Sequence, residues 1–321
     1  MGLKESGLRG SLRSTSSVLP AFFDVTITNT NSPVQEGDIL TVDYSADNTG
    51  DAQDTQDIRL EIDSVEEDRD SDITLLGAQS TTGTLEWDTT DEDETTYTAT
   101  VLSDDDSDSV TVEIEAAIPD SVVARYDATE DSLGGVSTIE DLEGNFDLTG
   151  SCTVISDGIG GMQTYHFDGT EDMRNSNIQI ATPNVTLMVA KWNEEASTSS
   201  VGYDSISGNA RRQFDGQDGE WRIFSGDVQR GGSVDQDEHL FAHHGNASGT
   251  NDKLEVDDST EINADSGNAE IDTFVLASDD DVPNYADLFV GELVHMGDPT
   301  QAEIDAERSR LNDKWFGGSG N

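Results

Sequence analysis

Regular alternation of apolar and polar residues is the feature that most restricts what this chain can fold into. The apolar side chains of Phe23, Val25 and Ile27 alternate with polar ones along the first such run. A period of two residues gives a strand one apolar face and one polar face. Similar runs, separated by clusters of Gly, Asn and Asp, occupy residues 38–50, 57–63, 82–88, 95–103 and 108–116. The pattern predicts an antiparallel β-sandwich for residues 21–118.

A short segment within this region carries a family resemblance. Residues 47–52 read Asp-Asn-Thr-Gly-Asp-Ala and lead into the next strand. This arrangement resembles immunoglobulin-like modules of archaeal surface proteins, which implies an immunoglobulin-like sandwich here. The single cysteine, Cys152, lies outside the region, so no disulfide can join its sheets and packing has to stabilise it.

A second β region is predicted for residues 119–321. Pro119 and Asp120 mark its start. The run 184–192 is mostly apolar, as expected of a strand in an inner sheet. The other strand-like segments are residues 122–129, 220–224, 239–245, 253–258, 274–277 and 288–296.

The end of the chain predicts one helix with both termini marked. Thr300 and Glu303 have the spacing of a capping box, and Pro299 stands just outside the start. Glycines at positions 317 and 318 end the helix. The apolar residues Ile304, Leu311 and Trp315 fall on one face, so the helix is expected to pack this stripe against a sheet.

Several segments of the second region resemble, in order, the concanavalin A-like (laminin-G-like) jelly-roll family. The resemblance implies a jelly-roll sandwich that ends in a short helix packed on its edge. The segments are Tyr126-Asp127-Ala128, residues 142–149, Tyr165-His166-Phe167-Asp168-Gly169-Thr170, residues 253–258 and the strand and helix of residues 288–321. The predicted fold class is therefore all-β, an immunoglobulin-like sandwich followed by a concanavalin A-like jelly roll.

The charge of the chain restricts its environment and its partners. Asp and Glu number 68 and Lys and Arg number 16, which gives a formal net charge of −52 at pH 7. Repulsion at this density weakens a compact state, and salt near 1 M, where the Debye length is about 3 Å, screens it. An acidic chain with so few lysines resembles proteins of extremely halophilic archaea and their viruses. Nucleic acid is not an expected partner, because its phosphates would be repelled, and no apolar run reaches the ~18 residues of a membrane span.

The N-terminal segment, residues 1–20, is basic, and an apolar residue followed by arginine occurs twice in it. We expect an anchor peptide that becomes ordered on an acidic neighbouring subunit, similar to N-terminal anchors of tailed-virus structural proteins. A disordered, solvated tail is the alternative. The segment lacks the apolar centre of a signal peptide, so no Sec export is expected. The residues expected to make the anchoring contacts are Lys4, Leu8, Arg9, Leu12 and Arg13.

Two acidic motifs in the first domain each allow two interpretations. Residues 61–66 fit the E-x-D-x-x-E pattern of laminarinase-like glucanases, in which paired carboxylates about 5 Å apart act on a glycosidic bond. The motif lies outside the jelly-roll region, so we expect a solvated strand end and no enzyme. The run 104–108 is predicted to be a hairpin tip that is either solvated or holds Ca²⁺ or Na⁺. No cofactor is expected, and a structural cation stays unassigned.

Candidate ligand contacts come from the second domain. Trp221 allows two interpretations, a core residue or a platform on which a sugar stacks. The histidines at 239, 243 and 244 cluster but lack a clear third ligand at a fixed spacing, so no metal site is expected. Asn246 begins an Asn-Ala-Ser glycosylation sequon in a predicted turn. The residues we expect to bind a ligand are Trp221, Arg222, His243, His244 and Asn246.

The domain order, the basic tail and the missing export signal favour a non-enzymatic virion surface protein of a haloarchaeal tailed virus. It would be a capsid turret, spike or tail fibre that assembles in the host cytoplasm, attaches through residues 1–20 to capsid or tail proteins, and binds a host glycan or glycoprotein. A homo-oligomer, trimer or pentamer, is expected because repeated weak sites gain avidity. The alternatives are an extracellular adhesin or carbohydrate-binding module of a halophilic archaeon, and a glycoside hydrolase or lyase on the same fold.

Overall fold

The structure is a computed structural model that describes residues 18–193, 200–207, 210–246, 251–267, 270–279 and 284–317. The chain divides into two compact units, Met1–Ala117 and Ile118–Asn321. Both units consist of β-strands, and one α-helix follows the last strand of the described part. The prediction of an all-β chain with a short C-terminal helix is confirmed. Among the described residues, no helix combines the length and apolarity that crossing a membrane requires.

The first unit is a sandwich of two sheets. One sheet has the strand order β1-β3-β6, and the other has the order β2-β8-β7-β4-β5. Neighbouring strands are antiparallel except for β2 and β8. The strands are β1 (Phe23–Thr30), β2 (Val34–Gln35), β3 (Ile39–Asn48), β4 (Asp54–Ile62), β5 (Val65–Leu75), β6 (Ser80–Asp88), β7 (Thr96–Leu102) and β8 (Ser107–Glu115).

The apolar side chains at alternate strand positions, as predicted from the sequence, fill the space between these two sheets. Phe23 and Val25 are buried, while Asp24 between them is exposed. Leu40 and Val42 on β3 are buried in the same cluster. The burial of one face of each strand supplies the apolar contact that stabilises a sandwich without a disulfide.

Carboxylates from the acidic run 104–108 close the edge of β1 that does not pair with β3. A strand edge leaves alternate N–H groups without a ladder partner, and three aspartates accept from them. The pairs are Phe23 N to Asp105 at 3.0 Å, Val25 N to Asp106 at 3.2 Å and Ile27 N to Asp108 at 2.8 Å. Neither expected alternative, a solvated loop or a cation site, included this backbone role, although Asp105 is exposed as in a solvated loop. The three side chains lie at a hairpin, as predicted, but bind the backbone of the facing sheet.

The second unit is a larger sandwich whose strands form one continuous, curled sheet. Its order is β18-β17-β16-β15-β22-β13-β11-β12-β23-β14-β19-β20-β21, with β10 paired to β11 and β9 paired to β23. A 3₁₀ turn, Ala128–Glu130, follows β9. The strands are β9 (Val122–Asp127), β10 (Gly134–Ile139), β11 (Leu148–Ile155), β12 (Thr164–Asp168), β13 (Met173–Asn175), β14 (Asn184–Trp192), β15 (Ser200–Ser207), β16 (Ala210–Gln217), β17 (Glu220–Phe224), β18 (Val228–Gly231), β19 (His239–Gly245), β20 (Asp252–Val256), β21 (Ser259–Ala264), β22 (Phe274–Leu276) and β23 (Asp287–Gly297).

Two layers of this sheet face each other across an aromatic core. We call β13, β15–β18 and β22 the front layer, and β9, β14, β19–β21 and β23 the back layer. Trp221 and Phe214 of the front layer meet Phe241 of the back layer with ring centroids 4.9 and 5.0 Å apart. Trp192 of β14 contacts the same three rings. These contacts bury large rings between the layers, where they contribute most to stability.

The helix α1 (Gln301–Phe316) covers the opposite side of the back layer. Leu311 and Trp315 are buried there in one cluster with Leu187 and Val294 of the sheet. At the N-terminus, the backbone N–H of Thr300 donates to Glu303 at 2.7 Å and the Glu303 N–H returns to the Thr300 hydroxyl at 3.3 Å. Gly317 ends the helix with φ of +69°. The capping box, the apolar stripe and the glycine stop predicted from the sequence are all confirmed.

A buried carboxylate fixes this helix to the sheet. Glu292 of β23 is 0% exposed and points toward α1. It binds Arg310, it lies 3.2 Å from Lys314 Nζ, and it accepts from Trp315 Nε1 at 3.1 Å. Burial alone would raise the pKa of Glu292, but Arg310 and Lys314 hold that pKa at about 2. The helix is therefore docked by charge as well as by apolar area.

Replacing Glu292 by Gln is expected to lower the free energy of unfolding by about 3 kcal/mol, because Arg310 and Lys314 lose a fully buried carboxylate partner. Among the described residues, Arg310 then keeps only Glu307, and Lys314 keeps only Asp127, as ion-pair partners. The pKa of the folded state is depressed, so the stabilisation exists above the ordinary glutamate pKa and is lost as pH falls toward 2. Urea unfolding from pH 7 to pH 3 measures it. The difference between wild type and E292Q should shrink at the acid end.

The exposed helix residue Asp305 provides the control. Asp305→Asn removes the same charge from α1 at a position that faces solvent, and should change stability by less than about 0.5 kcal/mol. Equal losses in the two variants would contradict the role assigned to Glu292.

Candidate ligand-binding face

The exposed side of the front layer, which we call the outer face, carries the candidate site. Strand alternation sends Trp221 and Ile223 of β17 into the core and leaves Arg222 and Phe224 on the other side. On β16, Phe214 points inward, so its neighbour Gln213 points outward. The same period that builds the aromatic core thus produces a polar surface directly behind it.

Strand register aligns the side chains of the outer face in rows. Gln213 pairs with Phe224, and Phe224 pairs with Val228. A parallel row joins Asp215, Arg222 and Arg230. Directly paired residues project to the same face, with strands about 4.8 Å apart. Residues separated by up to fifteen positions in the sequence therefore form one continuous surface.

A groove of about 350 Å³ lies in this surface. Apart from Phe224 and Val228, it is lined by polar groups that end in planar amides, carboxylates or guanidinium ions. Such groups, with one aromatic ring, are what a pocket needs to orient a small polar ligand. The lining residues are Arg211, Gln213, Gln217, Arg222, Phe224, Val228, Asp279 and Asn284.

Buried aspartates hold the two arginines of the groove in place. Asp204 is 0% exposed and accepts from Arg211 Nε at 2.8 Å and Nη2 at 2.7 Å. Asp215, also 0% exposed, accepts from Arg222 Nε at 2.7 Å. Two-point pairing of this kind fixes the plane of a guanidinium ion. Arg211 also pairs with Asp279, so three carboxylates meet the two guanidinium ions and the groove offers positioned donors and acceptors without an excess of positive charge.

A second groove, of about 440 Å³, opens farther along the outer face. Thr149, Arg174 and Val275 line it and occupy successive strands of one row. Arg174 is paired with Asp172 at 2.8 Å. Both grooves are lined largely by polar side chains, and the arginines in both are ion-paired.

Two of the predicted ligand contacts are interior residues, and those assignments are wrong. Trp221 is 2% exposed and is enclosed by Trp192, Phe214 and Phe241, so its ring has no face to offer a sugar. Of its two interpretations, the core role is the one the structure has. His243 is 1% exposed and lies between the layers. Both side chains are buried in the interior, so a ligand at the surface cannot reach them.

The other predicted contacts lie in three different places. Arg222 is in the groove, as described. His244 is on the opposite side of the back layer from His243, where its Nε2 lies 3.0 Å from Glu255. Asn246 follows β19, and its amide donates to the carbonyl of Asn251 at 2.6 Å. The predicted set therefore does not form one site.

The anchoring residues Lys4, Leu8, Arg9, Leu12 and Arg13 lie outside the described residues. In the described part of the chain, no three His, Cys, Asp or Glu side chains are placed to hold a metal ion. Arg211, Gln213 and Phe224 of the groove were not among the residues predicted from the sequence. One signal for Phe224 was present, since an outward Arg222 next to an inward Trp221 places Phe224 outward as well.

His239, the third histidine of the predicted cluster, acts as a charged clamp. Its ring lies between Asp257, 2.5 Å from Nδ1, and Asp235, 2.7 Å from Nε2. Burial would lower the pKa of His239, but the two carboxylates raise it to about 9. The doubly donating, protonated ring ties the segment before β19 to the turn after β20.

Replacing His239 by Gln is expected to lower the free energy of unfolding by about 1–2 kcal/mol at pH 6, a figure reduced for the solvent exposure of both aspartates. Because the folded pKa is raised, the contribution is complete below about pH 6.5 and disappears as pH rises through about 9. Denaturant unfolding from pH 6 to pH 10 measures it. His166→Gln is the control, and a wild-type advantage that persists at pH 10 would contradict the clamp.

No family model matches the sequence, and no curated protein matches it. Among solved structures, the chain is similar to the binding domain of botulinum neurotoxin DC in complex with rat synaptotagmin II, at 10% identity and a TM-score of 0.48. The alignment covers 61% of this chain and 52% of that domain, so the match spans about half the neurotoxin domain's length.

Domain 4 of AbnA, a GH43 extracellular arabinanase from Geobacillus stearothermophilus, in complex with arabinotriose, is also similar. The identity is 14%, the TM-score is 0.45, and the alignment covers 58% of this chain and 97% of that domain. A botulinum neurotoxin type C structure, described as entering cells by interaction with two ganglioside molecules, has 10% identity and a TM-score of 0.46, with 60% and 52% covered.

Proposed function

We propose that the second unit binds a neutral glycan in the groove of the outer face. The observation that carries this proposal is the combination of Phe224 with charge-paired Arg211 and Arg222 around one groove. Sugar hydroxyl groups donate and accept hydrogen bonds, which suits paired guanidinium and carboxylate groups and the amide of Gln213. The ring of Phe224 offers an apolar surface to the C–H face of a sugar ring.

Electrostatics supports a neutral ligand over an anionic one. The chain carries a formal net charge of −52, which repels polyanions at long range. At short range, an anionic group would have to compete with the buried carboxylates Asp204 and Asp215 for the arginines. A ligand that only exchanges hydrogen bonds avoids both costs.

We propose further that this is a binding protein without catalytic activity. The carboxylates of the groove are ion-paired, and Glu292 is engaged beneath the helix. Glu61 and Glu66, the acidic pair considered from the sequence, oppose each other across β4 and β5 of the first unit. Glu66 accepts from Arg69 at 2.6 Å, which supports an ion-paired strand surface at that place.

The finer proposal is that the protein is displayed on a haloarchaeal tailed virion, anchored by residues 1–20, with repeated copies that bind a host surface glycan. It is supported by the charge composition, the near absence of lysine and the basic first segment of the sequence. Weak single grooves would gain strength from a trimer or pentamer. A cell-surface adhesin of a halophilic archaeon would use the same groove.

Phe224→Ala is expected to weaken glycan binding about fivefold to tenfold, because it removes the stacking surface and leaves the ion pairs in place. The full chain in molar KCl would be screened against neutral and uronic or sulfated oligosaccharides, and the best hit titrated by calorimetry. Phe22→Ala, which removes a ring that is 43% exposed in the first unit, is the matched control.

Binding of neutral oligosaccharides that F224A weakens and F22A leaves unchanged would support the proposal. Binding restricted to anionic oligosaccharides, or equal affinities in wild type and F224A, would contradict the proposal that this groove binds a neutral glycan. Mass spectrometry of the incubated ligand tests the second proposal, since shortened sugars would reveal an enzyme.

A further inference from the structure

One row of side chains crosses the outer face and joins its two grooves. The row runs across successive strands of the front layer and β11, and each member is paired directly with the next. Paired residues project to the same face of a sheet, so the row is continuous from one groove to the other. Its members, in order, are Thr149, Arg174, Val275, Asp204, Gln213, Phe224 and Val228.

The spacing of this row suits one long ligand. Arg174 lines the second groove and Phe224 lines the first. Four strand spacings separate them in the row, which places them about 19 Å apart along the sheet. A disaccharide cannot contact both residues, whereas an extended chain of several sugars can.

An ion-paired arginine lies between the two grooves. Asp204 is the row member between Val275 of the second groove and Gln213 of the first. It is 0% exposed and is bound by Arg211, whose side chain keeps 22% of its surface exposed. A ligand that crosses from one groove to the other would therefore pass over the guanidinium ion of Arg211.

The same arrangement of arginine and aspartate recurs in both grooves. Arg174 Nε and Nη2 donate to the two carboxylate oxygens of Asp172 at 2.9 and 2.8 Å. Arg211 is held by Asp204 through the same two nitrogens at 2.8 and 2.7 Å. Each guanidinium plane is fixed by two-point pairing. The row therefore presents a rigid polar surface over its whole length.

The second groove differs from the first in lacking an exposed ring among its lining residues, since Phe274 is 0% exposed. It offers exposed hydroxyl and amide groups, those of Thr149, Ser176 and Asn177. Asn175 holds this loop in place, because its Oδ1 accepts from the Asn177 N–H at 2.7 Å and its Nδ2 donates to a backbone carbonyl at 2.9 Å. The second groove is suited to exchange hydrogen bonds with a ligand that the first groove holds by stacking.

We propose that the two grooves form one site for a linear neutral oligosaccharide, which lies along the row with one sugar at Phe224 and another beside Thr149 and Arg174. The ligand is then a stretch of a glycan chain, longer than a terminal mono- or disaccharide. The longer site includes the first groove, so it rests on the glycan binding proposed there. Because both contacts are made by one molecule, the second contact is intramolecular and multiplies the affinity of the first.

The experiment titrates the full chain in molar KCl, by calorimetry, with neutral linear oligosaccharides of increasing length. The probes are the di- to octasaccharides of the cello, xylo, manno and laminari series. For a series that binds, the affinity is expected to rise about tenfold or more from the disaccharide to the longer chains and then to level off.

Two variants separate the grooves. Removing the exposed polar groups of the second groove with T149V, S176A and N177A in one chain should leave disaccharide affinity unchanged. The same variant should reduce the gain with length to less than about threefold, since several hydrogen bonds are lost. Phe224→Ala should weaken disaccharide and longer chains alike. The matched control is T111V, S80A and N29A in one chain, which makes the same changes at exposed positions of the first unit.

The possible results distinguish the long site from the glycan binding itself. Equal affinities for short and long chains, with both still weakened by F224A, would overturn the long site and leave the first groove as a glycan site. A gain with length that survives in the triple variant of the second groove would also overturn it. Failure of every series to bind, or binding that F224A does not weaken, would contradict the proposed function and the long site together.

Discussion

The structure has to accommodate 68 carboxylates with only 16 cationic side chains, and the two units do this differently. Arg59 and Arg69 are the only cations in residues 18–117 of the sequence. The first unit instead directs carboxylates at backbone N–H groups, as Asp105 and Asp106 do along the edge of β1. A backbone donor carries no formal charge, so it stabilises a carboxylate without using a scarce cation.

In the second unit, the cations are concentrated where an element has to be held in one position. Arg310 and Lys314 meet Glu292 under the helix, and Arg211 and Arg222 meet buried aspartates on the outer face. Since breaking a buried pair is far more costly than breaking an exposed one, this placement obtains the most rigidity from few cations. The groove is rigid for the same reason that the helix is docked.

Local features of the fold could be predicted from the sequence, because their causes lie within a few residues. The capping box of Thr300 and Glu303, the stop at Gly317 and the alternation of Phe23 with Val25 each depend on neighbours in the chain. The acceptors for the edge of β1 could not be predicted, since they come from residues about eighty positions away. The alternation of apolar and polar residues shows which face of a strand is buried, but it does not show which residues the polar face contacts.

The candidate site could also be predicted only in part, because its residues come from different strands. Arg222 was recognised, but its partners Gln213 and Val228 in the groove lie on other strands, and only register brings them together. The prediction that His243 and His244 share one site is wrong because neighbours in the chain need not share a face. His243 and His244 are adjacent in sequence, which suggested one polar patch, yet consecutive strand residues point to opposite faces. Here one lies between the layers and the other beside Glu255.

Salt does not act equally on all the charges of this protein. Screening weakens repulsion among exposed carboxylates, and it depends on ionic strength alone, whatever the ion. Pairs such as Asp204 with Arg211 are largely shielded from it, because the aspartate is 0% exposed. Molar salt should therefore relax the repulsion across the exposed surface and leave the buried pairs of the groove and of the helix close to full strength.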